Sequence, residues 1–423
     1  MKIYIEPNKN FSSPLNYVIQ LIKHHKHLDL ALISDNHSAD IIISKNGDAN
    51  LPIAFQFYDD LDEGVYSFEN HFKKDCFIRT QKNEIDYLST IFYMLNSIQE
   101  YESTDVDKFE RFPFDKSYQS KFNNIEENLV EIYIAAFCNQ IGISQSENKQ
   151  SKIFISHDID AVYGSLKHDS LWALKKGRID LMFKIILENV IQKPHWLNID
   201  KIIKINSEYD FKSTFFWIAT QGKDHLNINN SDYDINDSKI TSAIKLAEEK
   251  GFDNGIHKST LDYNFKKEVG MMPIDVKANR YHFLKFKLPQ AWHAIEEAGL
   301  SIDASLGFAA RMGFRNSYGL PYQPYNFKTK KAFNFVELPL QIMDGSLSIY
   351  MKLPKEKIAG RIIDFIDNNK NNCVLSLLWH NTEFTDYQFN GYLDIYKKIL
   401  LYFHENNFKS ISLAEVLKSY KND

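Results

Sequence analysis

Cysteine is scarce in this 423-residue sequence: only Cys76, Cys138 and Cys373 occur. They are far apart, odd in number and show no CxxC spacing, which excludes a disulfide framework. All three fall in or beside apolar stretches and read as buried free thiols. Long hydrophobic runs are missing as well. No stretch reaches the roughly 18 apolar residues of a membrane-spanning helix. The opening residues, Met1-Lys2-Ile3-Tyr4-Ile5-Glu6-Pro7, break at a charge and a proline, without the ~7–15-residue apolar segment of a signal peptide. A cytoplasmic location is therefore expected. A dominant charge is absent too: 50 Lys and Arg face 55 Asp and Glu, for a net −5. The lysines are interspersed with acids, a solvated surface and no footprint for nucleic acid.

What is present is ordinary globular composition, 44% apolar and 25% charged, in a chain long enough for two or three domains. Residues 1–110 read as a small α/β domain. Short β-branched runs at 3–5 and 41–43 are strands, and 52–57 is a third strand candidate. Leu15, Val18, Ile19 and Ile22 mark a helix over 14–23, and Ile85, Leu88, Ile91, Phe92 and Leu95 mark another over 84–100. The cluster His24, His25 and His27 reads as a basic helix end facing water. The pattern loosens over 102–124, where a domain boundary is placed. Residues 111–150 are a linker with a helix over 126–140 and a Ser/Asn/Lys/Gln-rich break at 144–150. From 151 to 423 strands and helices alternate. Strands are expected at 153–156, 213–219 and 373–379, a turn into another strand at 251–257, and helices at 199–209, 235–250 and 288–298. This alternation predicts parallel βαβ units forming a barrel or an open α/β sheet. Polar residues just past its strand ends belong to the ligand face.

Three strand ends carry competent groups. Ser156-His157-Asp158-Ile159-Asp160 offers two carboxylates two residues apart, one to hold a cation and one to act as a base. An Asx turn or helix cap is the plainer reading of the pair taken alone. Gly255-Ile256-His257 delivers an imidazole suited to zinc, unless it is structural. Leu378-Trp379-His380-Asn381 delivers a second imidazole, suited to a general acid. Between these lie Arg280-Tyr281-His282-Phe283-Leu284, Asp303 before a Gly-containing loop, and Gly313-Phe314-Arg315. They read as a lined cleft or as a set of loop ion pairs.

In order and context these segments resemble the polysaccharide deacetylase (NodB-homology) family of carbohydrate esterases, in a branch with an extra N-terminal α/β domain. The likeness covers about residues 152–417. Asp158 and Asp160 match the family's aspartate pair, Ser213-Thr214-Phe215-Phe216 its Thr-Phe-Phe strand, and His257 its strand-end histidine. Arg280, Asp303 and His380 match its later motifs. The resemblance implies a distorted (β/α) barrel and a divalent metal, Zn²⁺ by expectation. It also implies hydrolytic deacetylation of an N- or O-acetylated sugar in surface polysaccharide or glycan biosynthesis. Asp158 would be the base, Arg280 with Asp303 its support, and His380 the acid. Backbone N–H groups near Tyr281 would face the oxyanion. Tyr281, Phe308, Phe314, Arg315 and Trp379 form the expected substrate-contact set, with Phe308 and Phe314 in a Gly-containing loop. Trp217 and Phe283 read as core.

The sequence departs from the family at one place. The usual second motif has another metal histidine four residues on, where Leu261 stands here. Asp160 and His257 alone fall short of the three protein ligands of a catalytic zinc. His282 is the substitute by position and chemistry, ahead of His157. A rival reading is an inactive deacetylase-like barrel that binds a carbohydrate or a partner, and another is a hydrolase of a non-sugar amide. The N-terminal domain would recognise a glycan carrier, a partner enzyme or a second copy in a homo-oligomer.

Overall fold

In a parallel sheet flanked by helices both strand faces are dry, so a central strand reads as a continuous apolar run. Lys152–Ile159 has that character: every residue after Lys152 is buried. It is paired on one side with Ser213–Trp217 and on the other with Val374–Leu378. The computed structural model describes residues 1–45, 49–144, 148–191, 193–385 and 391–419. The break expected at 144–150 lies partly outside them.

The main sheet runs in the order Val336–Glu337, Ile302–Asp303, Ala278–Tyr281, Asp253–Lys258, Ser213–Trp217, Lys152–Ile159, Val374–Leu378, Ile342–Met343. The short strand Lys409–Ser410 pairs with the start of Lys152–Ile159. All pairings are parallel. The two edge strands are only four residues apart in sequence and do not pair with each other among the described residues, so the barrel is distorted and open. Amphipathic helices Ile199–Glu208, Ser238–Glu249, Gln290–Glu297, Lys355–Asn368 and Tyr392–Glu405 each bury one apolar stripe. Because the strands share one direction, their C-terminal ends meet at one edge.

The N-terminal part has a three-stranded parallel sheet, with Lys2–Ile5 between Ala31–Ile33 and Ile41–Ile43. The helix expected at 14–23 is Ser12–Lys26, with Leu15, Val18, Ile19 and Ile22 buried. The strand expected at 52–57 is instead the start of the helix Phe55–Asp62. Phe57, Tyr58 and Leu61 fall on one helical face, and the buried Asp86 carboxylate accepts the Ala54 N–H at 2.6 Å, just before the first turn. One continuous apolar core runs from Ile3 in this part to Phe408 in the barrel. Arg111, Tyr118 and Gln119, in the stretch read as a loosened boundary, are buried.

Between Lys152–Ile159 and Ile199–Glu208 the chain inserts a helical hairpin, Leu166–Lys175 and Ile179–Val190, that the sequence reading did not foresee. It has a small core of its own, Ala173, Leu181 and Ile185.

Candidate active site and metal centre

The sheet register places the candidate residues. His257 is opposite Arg280 across adjacent strands, and Asp158 is opposite Phe216. Phe216 lies beneath the Arg280 guanidinium, 4.6 Å from ring centroid to the guanidinium carbon. That ring fits because residue 255 is glycine: a Cβ there would stand 2.6 Å from it. Alternation along the strand sends His157 to the other face from Asp158. His157 packs on Phe215 and its Nδ1 meets the Trp379 carbonyl at 2.8 Å, away from the cleft.

Three ligand-type atoms converge: Asp160 Oδ1, His257 Nε2 and His282 Nδ1. The two nitrogens are 3.1 Å apart, and each stands 3.3–3.4 Å from Asp160 Oδ1. The far nitrogen of each ring faces a backbone carbonyl: His257 Nδ1 that of Arg280 at 2.9 Å, His282 Nε2 that of Asn229 at 3.0 Å. A carbonyl only accepts, so those nitrogens carry the hydrogens and the facing nitrogens present lone pairs. Asp160 Oδ1 is buried without a hydrogen bond. Three acceptors aimed at one another repel unless a cation or an extra proton lies between them. Tetrahedral ligands at ~2.0–2.1 Å from zinc are separated by about 3.3–3.4 Å, the spacing of each nitrogen from Asp160 Oδ1, while the two nitrogens stand slightly closer, at 3.1 Å. The residues therefore fit a divalent metal, and the carbonyl partners are the outer support such ligands require.

His282 reaches this position from the turn after Ala278–Tyr281. That turn contains two successive non-glycine residues with left-handed backbones, Phe283 (φ 59°) and Leu284 (φ 50°). Such residues cost on the order of 1–2 kcal/mol each. The Phe283 carbonyl accepts a hydrogen bond from Arg111 Nη1 at 2.9 Å, so a residue at the start of the stretch expected to be a linker clamps the strained turn. At position 261 the leucine carbonyl accepts from Lys258 Nζ, which is also bonded to Glu268 at 2.7 Å.

Electrostatics follow from this packing. For Asp160, burial acts to raise the carboxyl pKa, but His282 and His257 outweigh it and hold it well below the usual range. For His282 burial acts to lower, and the Asp160 carboxylate reverses the net shift upward. Asp158 accepts from Arg280 Nη1 at 3.0 Å, and that guanidinium also bonds Ser156 Oγ and the Ala304 carbonyl. His380 is gripped twice by Asp344, whose oxygens lie 2.6 Å from its Nδ1 and its backbone N. Its Nε2 is thereby turned toward the cleft, 3.7 Å from Asp160 Oδ2. Burial alone would lower the His380 pKa; Asp344, then Asp160 and Asp158, raise it to about 10. Asp344 went unnoticed in the sequence, although Ile342-Met343-Asp344-Gly345 has the form of a strand end.

Several expected roles change. Asp303 makes no ion pair with Arg280 among the described residues; it accepts from Asn279 Nδ2 at 2.7 Å and Ser305 Oγ at 2.8 Å. It also abuts Glu337, opposite it on the neighbouring strand. Burial pushes the Asp303 carboxyl up to about 6 and Glu337 well above its usual value, each reinforced or balanced by the other. The Tyr281 N–H donates to Ser305 Oγ at 2.9 Å, so it is not free for an oxyanion, and the Tyr281 ring packs on Phe265 and Phe286. Phe314 and Trp379 are wholly buried, against Phe365 and Tyr396. Arg315 is engaged by Glu100, at 2.6 and 2.8 Å. Tyr281, Phe314 and Trp379 are buried against other rings, whereas Arg315, also buried, lines the cleft beside Phe308. Phe308 does border a cleft of about 320 Å³, with Phe112, Phe114, Arg111, Leu284 and Tyr350. A larger cleft, about 1100 Å³, is lined by residues between 44 and 84 and by none of the candidate residues.

Residues 2–144 match a family model described as a family of unknown function, DUF7033. No curated protein matches the chain. Among solved structures the chain is similar to a protein of Mycobacterium smegmatis designated a polysaccharide deacetylase, at 11% identity and a TM-score of 0.39, covering 64% of this chain and 91% of that one. It is similar to a CE4 family pseudoenzyme of Bacillus anthracis at 9% identity and 0.33, covering 65% and 68%. A GH57 branching enzyme of Thermococcus kodakaraensis is similar at 7% and 0.37, covering 65% and 72%.

Proposed function

We propose that this protein is a metal-dependent hydrolase that removes an acetyl group from an N- or O-acetylated sugar, in surface polysaccharide or glycan biosynthesis. The observation that carries the reading is the triangle of Asp160, His257 and His282 acceptor atoms, set beside a second carboxylate and a third, independently oriented histidine. A His₂Asp set is a ligand set of catalytic zinc, and zinc bound there would supply Lewis-acid polarisation of the acetyl carbonyl and acidify water.

The protein's own groups do the rest. Asp158, oriented by the Arg280 guanidinium, takes a proton from the attacking water. Water adds to the carbonyl carbon, the bond from that carbon to the sugar nitrogen or oxygen breaks, and acetate leaves. His380, protonated and aimed by Asp344, gives its Nε2 proton to the departing atom. Phe308, with Phe112 and Phe114 in ring contact, offers an apolar wall on which a sugar face can stack.

The test is turnover of acetylated amino sugars and sugar esters by zinc-loaded protein, beside Asp158→Asn and His380→Ala. Each variant should stay folded and lose roughly 10²–10⁴ in kcat. Wild-type turnover in either removes that residue from its role. A protein that takes up no zinc is instead a binding module.

A further inference from the structure

The insert between Asp160 and the helix Ile199–Glu208 turns an unusual face to solvent. Ile179, Phe183, Ile186, Leu187 and Val190 recur at i, i+4, i+7, i+8 and i+11 of one helix, and all are exposed, Phe183 by 63% and Val190 by 72%. They form one stripe, opposite the buried Leu181, Ile185 and Glu188. The first helix adds Leu171 and Leu174, also exposed. A soluble surface rarely gathers so many large apolar side chains in one patch.

Charge distinguishes what this face would meet. Residues 166–191 hold five cations, Lys167, Lys175, Lys176, Arg178 and Lys184, against three acids, a net of +2. The other residues of the chain sum to −7, from 45 Lys and Arg against 52 Asp and Glu. Of the three acids, Asp169 is buried, where it accepts the Ser165 N–H; Glu188 is buried and paired with Lys193; Asp180 pairs with Arg178. Lys175, Lys176 and Arg178 occupy the exposed tip. An apolar stripe rimmed by lysines matches the boundary between acyl chains and anionic headgroups, where lysine stems lie along the apolar layer and the ammonium groups meet phosphate. The helices, 10 and 12 residues, are about 15 and 18 Å long, far short of a ~30 Å hydrocarbon core. They would lie on a bilayer and not cross it.

The hairpin's stem is fixed to the rim of the metal site. The Asp232 carboxylate accepts the N–H groups of Val162, Tyr163 and Gly164 at 2.7–3.0 Å. Asn381, next to His380, donates to the Ala161 and Trp196 carbonyls on the two sides of the stem.

We infer that the hairpin 166–191 is an interfacial anchor that docks the protein on an anionic lipid bilayer with the metal site beside the membrane surface. That the acetylated sugar is itself membrane-borne rests on the deacetylase reading; the docking does not.

Cosedimentation of the full chain with vesicles tests it. Vesicles of phosphatidylglycerol and phosphatidylcholine in equal parts should bind the protein, raised salt should release it, and phosphatidylcholine alone should bind it far less. Phe183→Glu/Leu187→Glu and Lys175→Glu/Lys176→Glu change exposed side chains only. Each should lower partitioning by roughly tenfold or more, with unchanged circular dichroism, zinc content and hydrolysis of a soluble acetylated sugar. Equal binding to both vesicles, no binding, or unaltered binding by the variants overturns the anchor. So does self-association by light scattering that these variants abolish while vesicles stay unbound, since the face would then belong to a second copy. Loss of zinc or of turnover in the wild-type protein would strike the deacetylase reading and leave vesicle binding standing.

Discussion

At the scale of single residues, the site turns on where hydrogens sit. His257 and His282 are each fixed in one tautomer by a backbone carbonyl, so both offer lone pairs to one point. Removing either leaves two ligands, too few for tight zinc binding. His282→Ala should purify folded with zinc well below one equivalent by elemental analysis; full occupancy would show that the third donor lies elsewhere. Asp344 governs the other histidine. With its pKa raised to about 10, His380 is protonated throughout the neutral range and loses its proton only on the alkaline side. Asp344→Asn removes the main attraction for that proton. The alkaline limb of the kcat profile should therefore move to lower pH, and an unmoved limb would deny His380 the acid's role. Asp158, Asp160, His257 and His380 were legible because each follows an apolar run or a Gly turn, whereas Arg280, after Lys277-Ala278-Asn279, stood out only by the order of the motifs. Asp344 was not, since its strand is only Ile342–Met343, too short to show a period. That Tyr281, Phe314 and Trp379 pack against other rings was not legible, because the same aromatic residues suit a cleft wall or a core.

At the scale of elements, parallel register does the assembling, bringing residues from strands distant in sequence to one edge. The longer elements announced themselves: Lys152–Ile159, Ser213–Trp217 and the helix Ser238–Glu249 all lie where period and composition put them. The hairpin did not, because its second helix is apolar on two faces and shows no single stripe. The paired short strands Ile302–Asp303 and Val336–Glu337 set two buried carboxyls together. Both pKa values are raised, so their protonated forms favour the fold. That contribution is complete below the ordinary value of 3.8 for Asp303 and fades as pH rises through about 6. Glu337→Gln removes one of the two negative charges. Its melting temperature should fall less than that of the wild type between pH 4 and 7, and parallel curves would mean the pair is not linked to folding.

At the scale of the whole molecule, the N-terminal part and the barrel share one core. They are also joined by a buried ion pair, Glu100 with Arg315, each side chain 2% exposed. Removing one partner strands the other charge, typically at a cost of about 3–5 kcal/mol. Glu100→Ala should lower the melting temperature markedly, and the wild type should unfold in one calorimetric transition. Two separate transitions would show two independent folding units.

The Arg111 clamp reaches 172 positions along the sequence to hold the carbonyl of the residue after His282. Trimming the gene to its second part would leave that contorted loop without its brace and Arg315 without its counterion. Any chelation or turnover measured on such a fragment would then describe a damaged relative of the intact polypeptide.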